Sequence, residues 1–212
     1  EAAAKNSMYT HDGDGTFWAM SVEGSTAIVT LHAENRKMAL SERDAQSLGV
    51  EIDSYLRGFP QSDAGIRSIC GSDQRRNVEC YRTSHPTHYE RSDAVAKLVM
   101  SGGGSCTAWR VGPDDRVMTN NHCISSQSGV SGAEVRFNYQ YTSCSGGSLA
   151  PVTKVTGNAL LATRNDLDFT LFTINNPSSV SQFGYLLLDP RRPVQDSSAS
   201  GWRSPPASGS RR

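Results

Sequence analysis

Residues 106–123 read CTAWRVGPDDRVMTNNHC, two short runs of apolar and β-branched residues on either side of a turn. Cys106–Val111 forms the first run and Arg116–Thr119 the second. Between them, Gly112–Asp115 contains the glycine, proline and aspartates that favour a reversal of chain direction. The segment therefore predicts two neighbouring β-strands, with the sequence TNNHC at the end of the second.

Further short strands are predicted on both sides of this segment. Residues 94–100 read as a strand that reaches Cys106–Val111 through the glycine-rich loop 101–105. Two more strands are predicted at 134–139 and 169–174. Short strands at fairly regular spacing, with little sign of helix, favour an all-β antiparallel barrel or sandwich.

The composition is that of a soluble globular protein. The chain has 212 residues, of which 36% are hydrophobic and 20% charged, enough for one or two small domains. Lys+Arg and Asp+Glu are both 21, and no basic stripe with interleaved aromatic residues is present. Nucleic acid is therefore not an expected partner. No run of about 18 apolar residues occurs, so a membrane-spanning segment is not expected either.

Composition divides the chain into four segments. Residues 1–58 read as a small β-rich segment, with a β-branched strand at 28–31. Residues 59–69 are polar and contain glycine, as expected of a linker with a possible processing site. Residues 70–189 hold the predicted barrel, and 190–212 are so rich in Pro, Ser, Gly and Arg that we expect disorder. The sequence begins EAAAK without a signal peptide, so we expect any secretory signal to lie outside it.

Five cysteines lie between residues 70 and 144, and none lies elsewhere. No pair has the Cys-x-x-Cys spacing, which favours disulfides in an oxidising compartment over zinc. Two bridges would leave one cysteine over, and we expect its partner in polypeptide outside this chain. The five are Cys70, Cys80, Cys106, Cys123 and Cys144.

His122 and Asp168 are the candidate catalytic residues. A Ser-His-Asp centre needs a histidine that takes the proton of the nucleophile and a carboxylate that orients the ring and stabilises the imidazolium. The segment DLDFTLF offers two carboxylates, Asp166 and Asp168. Strand alternation would place Asp168, Thr170 and Phe172 on one face, with Asp166 in a loop. Taken alone, a structural histidine and a strand-edge carboxylate explain these residues better than a catalytic pair.

Four elements occur in a fixed order along the chain. They are CTAWRV at 106–111, TNNHC at 119–123, FNYQ at 137–140 running to Cys144, and DFTLF at 168–172. In this order they resemble the chymotrypsin-like serine peptidases, especially the bacterial secreted branch that includes the lysyl endopeptidases. The resemblance covers about residues 68–190 and implies the first of two six-stranded antiparallel β-barrels. Residues 8–57 are similar to the β-rich pro-region of such secreted zymogens.

The resemblance implies a role for each candidate residue. His122 would be the general base and acid, and Asp168 the orienting carboxylate, which in the family precedes an apolar, a variable and another apolar residue. The implied bridges are Cys106–Cys123 and Cys80–Cys144, and Cys70 would pair with a cysteine of the second barrel. The implied reaction is proteolysis of protein or peptide substrates, with no cofactor and no metal ion.

The sequence departs from the family at the nucleophile. Gly-Asp-Ser-Gly does not occur, nor does Gly-x-Ser-x-Gly. In the family the oxyanion hole and the specificity pocket also belong to the second barrel. We therefore expect an inactive first-barrel fragment of a secreted serine endopeptidase, truncated or frameshifted, whose missing partner is the second barrel. Its uncovered docking face predicts low solubility.

Two other functions stay open. A non-catalytic secreted β-module that binds protein or carbohydrate needs no serine, but it has no need of His122 and Asp168 either. A metal-binding β-protein could use His122 and cysteines as ligands.

Two other sequence patterns resemble metal sites but are better explained by a hairpin turn and a surface loop. The sequence DGD at residues 12–14 resembles part of a calcium-binding loop, but Phe17 occupies the position where that loop needs glycine. The histidine pair within 85–88 has no cysteine or matching carboxylate nearby.

Overall fold

The computed structural model describes residues 75–189 continuously and, before them, residues 18–22, 24, 26–29, 52, 54, 55 and 57. The chain divides into two compact units, one of residues 1–5 and 21–69 and the other of 6–20 and 70–212. A strand was predicted at 28–31, and the structure describes residues 28 and 29 of it. For these two the prediction is wrong, because Ile28 and Val29 are exposed and belong to no strand. Cys70, the residues 12–14 turn and the predicted tail lie outside the described residues.

Six antiparallel strands close into a barrel: β1 Val95–Val99, β2 Ser105–Arg110, β3 Arg116–Thr119, β4 Glu134–Phe137, β7 Thr153–Arg164 and β8 Phe169–Ile174. Their order around the barrel is β1-β2-β3-β8-β7-β4, and β4 pairs with β1 to complete it. The all-β barrel expected from the sequence is therefore confirmed. A separate two-stranded sheet consists of β5, Tyr141–Ser143, and β6, Gly146–Leu149.

Alternate residues of the strands fill the barrel interior. In β1, for example, Ala96 and Leu98 are fully buried, whereas Val95, Lys97 and Val99 are half-buried. Burial of each large apolar side chain stabilises the fold by roughly 1.5–3 kcal/mol. The core side chains from the strands are Ala96, Leu98, Ala108, Val117, Val135, Phe137, Val155, Phe172 and Ile174.

Five short helices accompany the strands in the described part of the chain. A 3-10 helix, Pro177–Phe183, follows β8, buries Val180 and stacks the Phe183 ring on Phe137 with centroids 5.6 Å apart. The others in the described residues are the 3-10 helices Val78–Tyr81 and Ser92–Ala94 and the α-helices Pro86–Arg91 and Gln127–Ser131. No helix of the described part of the chain is both long and apolar enough to span a bilayer.

Arg110, the last residue of β2, lies buried at the end of the barrel where β3 begins. Its guanidinium donates to the carbonyl oxygens of Val180 (3.3 Å), Gly184 (2.9 Å), Pro113 (3.1 Å) and Asp114 (2.9 Å). Burial lowers the pKa of Arg110 from its ordinary value. Carbonyl dipoles replace water around this cation and tie the turn after β2 to the chain after β8.

Gly157 lies where the helix Gln127–Ser131 comes closest to β7. A Cβ at this position would overlap the backbone oxygen of Val130 and lie 2.9 Å from its carbonyl carbon. Gly157→Ala should therefore lower the free energy of unfolding by about 2–3 kcal/mol, because backbone must move to admit the methyl group. Gly102→Ala is the matched control, since a Cβ there would have no other atom within 4 Å. Equal urea midpoints for the two variants would contradict this prediction.

Candidate active site

His122 lies in the loop that follows β3, at the opposite end of the barrel from Arg110. Thr119 ends the strand and is fully buried, and its hydroxyl donates to the carbonyl oxygen of Thr107 (2.8 Å). The carbonyl of Asn120 then accepts from the N–H of Cys123 (3.1 Å), which forms a turn around His122. A bridge from Cys123 to Cys106 attaches this turn to β2. The backbone around His122 is therefore tied to the barrel wall both before and after the histidine.

Asp168 lies in the turn before β8 and not in the strand itself. Its φ of 46° is in the left-handed region, which aspartate visits more readily than most residues. The prediction that Asp168 shares a strand face with Thr170 and Phe172 is therefore wrong. Those two side chains are buried in the barrel, whereas the turn directs the Asp168 carboxylate toward His122.

Three contacts join the Asp168 carboxylate to His122. The backbone N–H of His122 donates to Oδ1 (3.0 Å), and Nδ1 lies 2.8 Å from Oδ2 and 3.0 Å from Oδ1. Because an ionised carboxylate only accepts hydrogen bonds, the proton of a neutral ring sits on Nδ1. Nε2 then carries the lone pair, and it has no hydrogen-bond partner among the described residues. With the side chain 67% exposed, this nitrogen is accessible as a base.

Asp166, the other carboxylate of the DLD segment, has a different partner. Arg164 donates through Nε to Oδ1 (2.8 Å) and through Nη2 to Oδ2 (2.6 Å). This hydrogen bonding from Arg164 is the main cause that lowers the pKa of Asp166. The structure therefore brings Asp168, and not Asp166, to His122.

Asn120 belongs to the site although it was not predicted from the sequence. Its Nδ2 donates to Oδ2 of Asp168 (3.1 Å) and to the carbonyl oxygen of Asp168 (3.2 Å). The pKa of Asp168 is lowered first by the backbone N–H of His122, then by the His122 side chain and by Asn120. The signal in the sequence is the asparagine two positions before the histidine in TNNHC, but its partner is 48 residues away.

Asn120→Ala should raise the pKa of Asp168 toward its ordinary value of 3.8, because one donor to the ionised form is lost. The lowered pKa makes Asp168 stabilise the folded state above the unfolded-state pKa, and this contribution disappears as the pH falls through the folded-state pKa. As the pH falls between these two pKa values, the free energy of unfolding should therefore decrease less in the variant than in the parent chain. Carboxyl carbon NMR titration checks the shift, with Asp166 as internal control. An unchanged Asp168 midpoint would show that Asn120 does not stabilise the carboxylate.

A second set of hydrogen bonds fixes the other side of the histidine loop. Nδ2 of Asn121 donates to Oγ1 of Thr163 (2.7 Å), which lies 2.7 Å from Oγ1 of Thr170. The Thr170 hydroxyl donates to the carbonyl oxygen of Ile124 (2.5 Å), so it accepts from Thr163. The residues on both sides of His122 are thereby bonded to β7 and β8, which limits movement of the imidazole.

The described residues contain two disulfides, Cys80–Cys144 and Cys106–Cys123, the pairs that the family resemblance implies. Ligand atoms of His122, Cys106 and Cys123 lie within 4.8 Å of one another, which is the grouping that a metal-binding function would use. However, the two sulfurs are bonded to each other, and a metal ion is bound by a thiolate. Cys106 and Cys123 therefore cannot serve as the thiolate ligands that the metal-binding hypothesis requires.

Two comparisons relate this chain to known proteins. The family model for the lysyl endopeptidase C-terminal domain matches residues 71–199, which include the barrel, His122, Asp168 and both disulfides. The chain is also 30% identical, over 189 residues, to Secreted RxLR effector protein 73 of Plasmopara viticola. That alignment covers 84% of this chain and 46% of the relative, so the chain spans about half the relative's length. Because the family model matches more than half of the sequence, the chain belongs to the lysyl endopeptidase C-terminal domain family.

Proposed function

We propose that this chain supplies the histidine and carboxylate of a secreted serine endopeptidase whose nucleophile belongs to a second barrel. The contact between Nδ1 of His122 and Oδ2 of Asp168, at 2.8 Å, carries the proposal. Nε2 would take the proton of the serine hydroxyl as its oxygen attacks the carbonyl carbon of the scissile peptide. Asp168 would stabilise the resulting imidazolium, which then gives its proton to the leaving amine.

The serine would come from polypeptide outside this sequence, because no nucleophile motif of the family occurs in it. Without a serine and an oxyanion hole, His122 has no acyl transfer to perform, so the chain alone should be inactive. The two disulfides support the secreted location, since such bridges persist in oxidising compartments. A relative with the word secreted in its name points in the same direction.

The residues after the 3-10 helix Pro177–Phe183 support the proposal of a second barrel. Leu186 is hydrogen-bonded to the end of β2, because its N–H donates to the Arg110 carbonyl (2.9 Å) and its carbonyl accepts from Gly112 (3.0 Å). Its neighbours Leu187 and Leu188 are 78% and 64% exposed. Exposed apolar side chains next to one another are typical of a surface that another domain covers.

A non-catalytic secreted module that binds protein or carbohydrate is the second candidate. The similarity to an effector protein and the missing serine motif favour it. In that case the pair of His122 and Asp168 would be a structural feature of the barrel, and no serine would ever meet Nε2.

Labelling with a fluorophosphonate probe separates the two candidates. The purified chain is compared with the same chain extended by the polypeptide encoded downstream in its gene. Labelling of the extended form alone, lost in its His122→Ala variant and kept in its Asp166→Asn variant, supports the peptidase. Labelling of neither form favours the binding module. Labelling of the unextended chain would overturn the proposal that the serine lies outside it.

A further inference from the structure

The barrel end opposite His122 and Asp168 contains a concave site, a solvent-open cavity of about 410 Å³. β4 reaches this end at Phe137 and continues into the loop that forms one wall. The register confirms the separation, since Phe137 pairs with Ala96 at the start of β1, whereas Thr119 pairs with Thr170 at the other end. A cavity of this volume is in the range of small-molecule sites.

A disulfide and several hydrogen bonds connect the walls of the cavity. Cys80–Cys144 joins residues 78–94, the N-terminal helical segment that precedes the barrel, to the β5–β6 hairpin, and Asn77 also donates to the carbonyl oxygen of Cys144 (2.9 Å). On the helical wall, the Tyr89 hydroxyl donates to Oε1 of Glu79 (2.5 Å) and accepts from Nη2 of Arg82 (2.9 Å). A preformed site loses little conformational entropy on binding.

The charges in the wall disfavour an anionic ligand. Nε of Arg82 lies 3.1 Å from Oε2 of Glu79, so these two charges offset each other. Asp93 is the third charged residue of the lining, so Arg82 is its single cationic residue and is already paired with Glu79. Burial, the largest cause, raises the pKa of Tyr89, which keeps this phenol neutral.

The remaining lining offers groups that suit a neutral polyol. The hydroxyl of Tyr141 and Oε1 of Gln182 have no hydrogen-bond partner among the described residues, and Nε2 of Gln182 donates to the carbonyl of Ser179 (3.1 Å). Phe183 adds an aromatic ring, held by parallel stacking on Phe137. A sugar ring presents hydroxyls that donate and accept, and a C–H face that packs on an aromatic ring.

We propose that this cavity binds a neutral saccharide of one or two rings. The site shares no residue with the His122–Asp168 pair, so it is a binding function in addition to the proposed peptidase role. Tyr141 would hydrogen-bond a sugar hydroxyl, Gln182 would accept from another, and Phe183 would contact the apolar face of the ring.

The test is a backbone amide NMR titration of the whole chain with glucose, galactose, mannose, N-acetylglucosamine and cellobiose. At least one sugar should shift the amides around Tyr141 and Gln182 and leave those around His122 unchanged. Tyr141→Phe and Gln182→Ala should each weaken that binding about 3- to 10-fold, the effect of losing one neutral hydrogen bond. Tyr55→Phe removes the same atom from an 82% exposed tyrosine outside the cavity and should bind normally.

Two results would overturn the proposal. The first is that none of the five sugars shifts the cavity amides, or that both cavity variants bind as tightly as the parent chain. The second is that inorganic phosphate or glucose 6-phosphate binds more tightly than every neutral sugar, which would assign the cavity to anions. Neither result depends on a serine nucleophile, so the peptidase proposal is tested separately.

Discussion

Reduction of both disulfides should unfold the barrel in buffer that leaves the oxidised chain folded. Cys80–Cys144 spans 64 residues and Cys106–Cys123 spans 17. On the chain-entropy estimate these bridges stabilise the fold by about 4 and 3 kcal/mol. Their sum of about 7 kcal/mol is comparable with the whole free energy of unfolding of a typical domain.

The two bridges should differ in what they hold as well as in magnitude. Loss of Cys80–Cys144 should release the N-terminal helical segment, whereas loss of Cys106–Cys123 should loosen the loop that carries His122. Urea unfolding followed by tryptophan fluorescence, with and without reductant, measures the combined effect. Paired Cys→Ala variants of each bridge measure the separate effects, and the larger loss is expected for the 64-residue loop. Identical urea midpoints for the reduced and oxidised chains would contradict the prediction.

Asp168→Asn should lower kcat about 10⁴-fold at neutral pH in the two-barrel peptidase that we propose. The amide nitrogen of the introduced asparagine could donate to Nδ1 of His122, which would favour the tautomer with its proton on Nε2. In that tautomer Nε2 cannot accept the proton of the serine. Peptide hydrolysis by the extended chain measures the effect, and KM should change little because Asp168 makes no contact with substrate in this mechanism.

Asp166→Asn is the matched control for this prediction. It removes a carboxylate two residues away whose partner is Arg164, and kcat should stay within about twofold. A kcat within tenfold of the parent for Asp168→Asn would show that the carboxylate does not orient the histidine, whatever the serine contributes.

Most barrel strands could be predicted because apolar residues alternate along them. The predictions at 94–100 and 169–174 agree with β1 and β8 within one residue at each end. The strand predicted at 134–139 ends two residues earlier, since Asn138 has a φ of 57° that leaves the extended region. β7 was not predicted at all. Its pairing shifts register between Gly157 and Leu160 and again before Ala162, so no simple alternation runs along it.

The sequence by itself determined the chemistry available to this protein, because TNNHC and DFTLF carry a histidine and a carboxylate in the order that resembles one peptidase family. Only the tertiary structure determined which of these residues come together in one site. His122 and Asp168 meet because β3 and β8 pair side by side and place Thr119 opposite Thr170. The bond from Asn120 to Asp168 depends on that pairing, whereas the left-handed residue Asp168 belongs to the turn between β7 and β8. Contacts between residues 46–48 positions apart leave no local pattern, since the strand order that creates them is a property of the closed barrel.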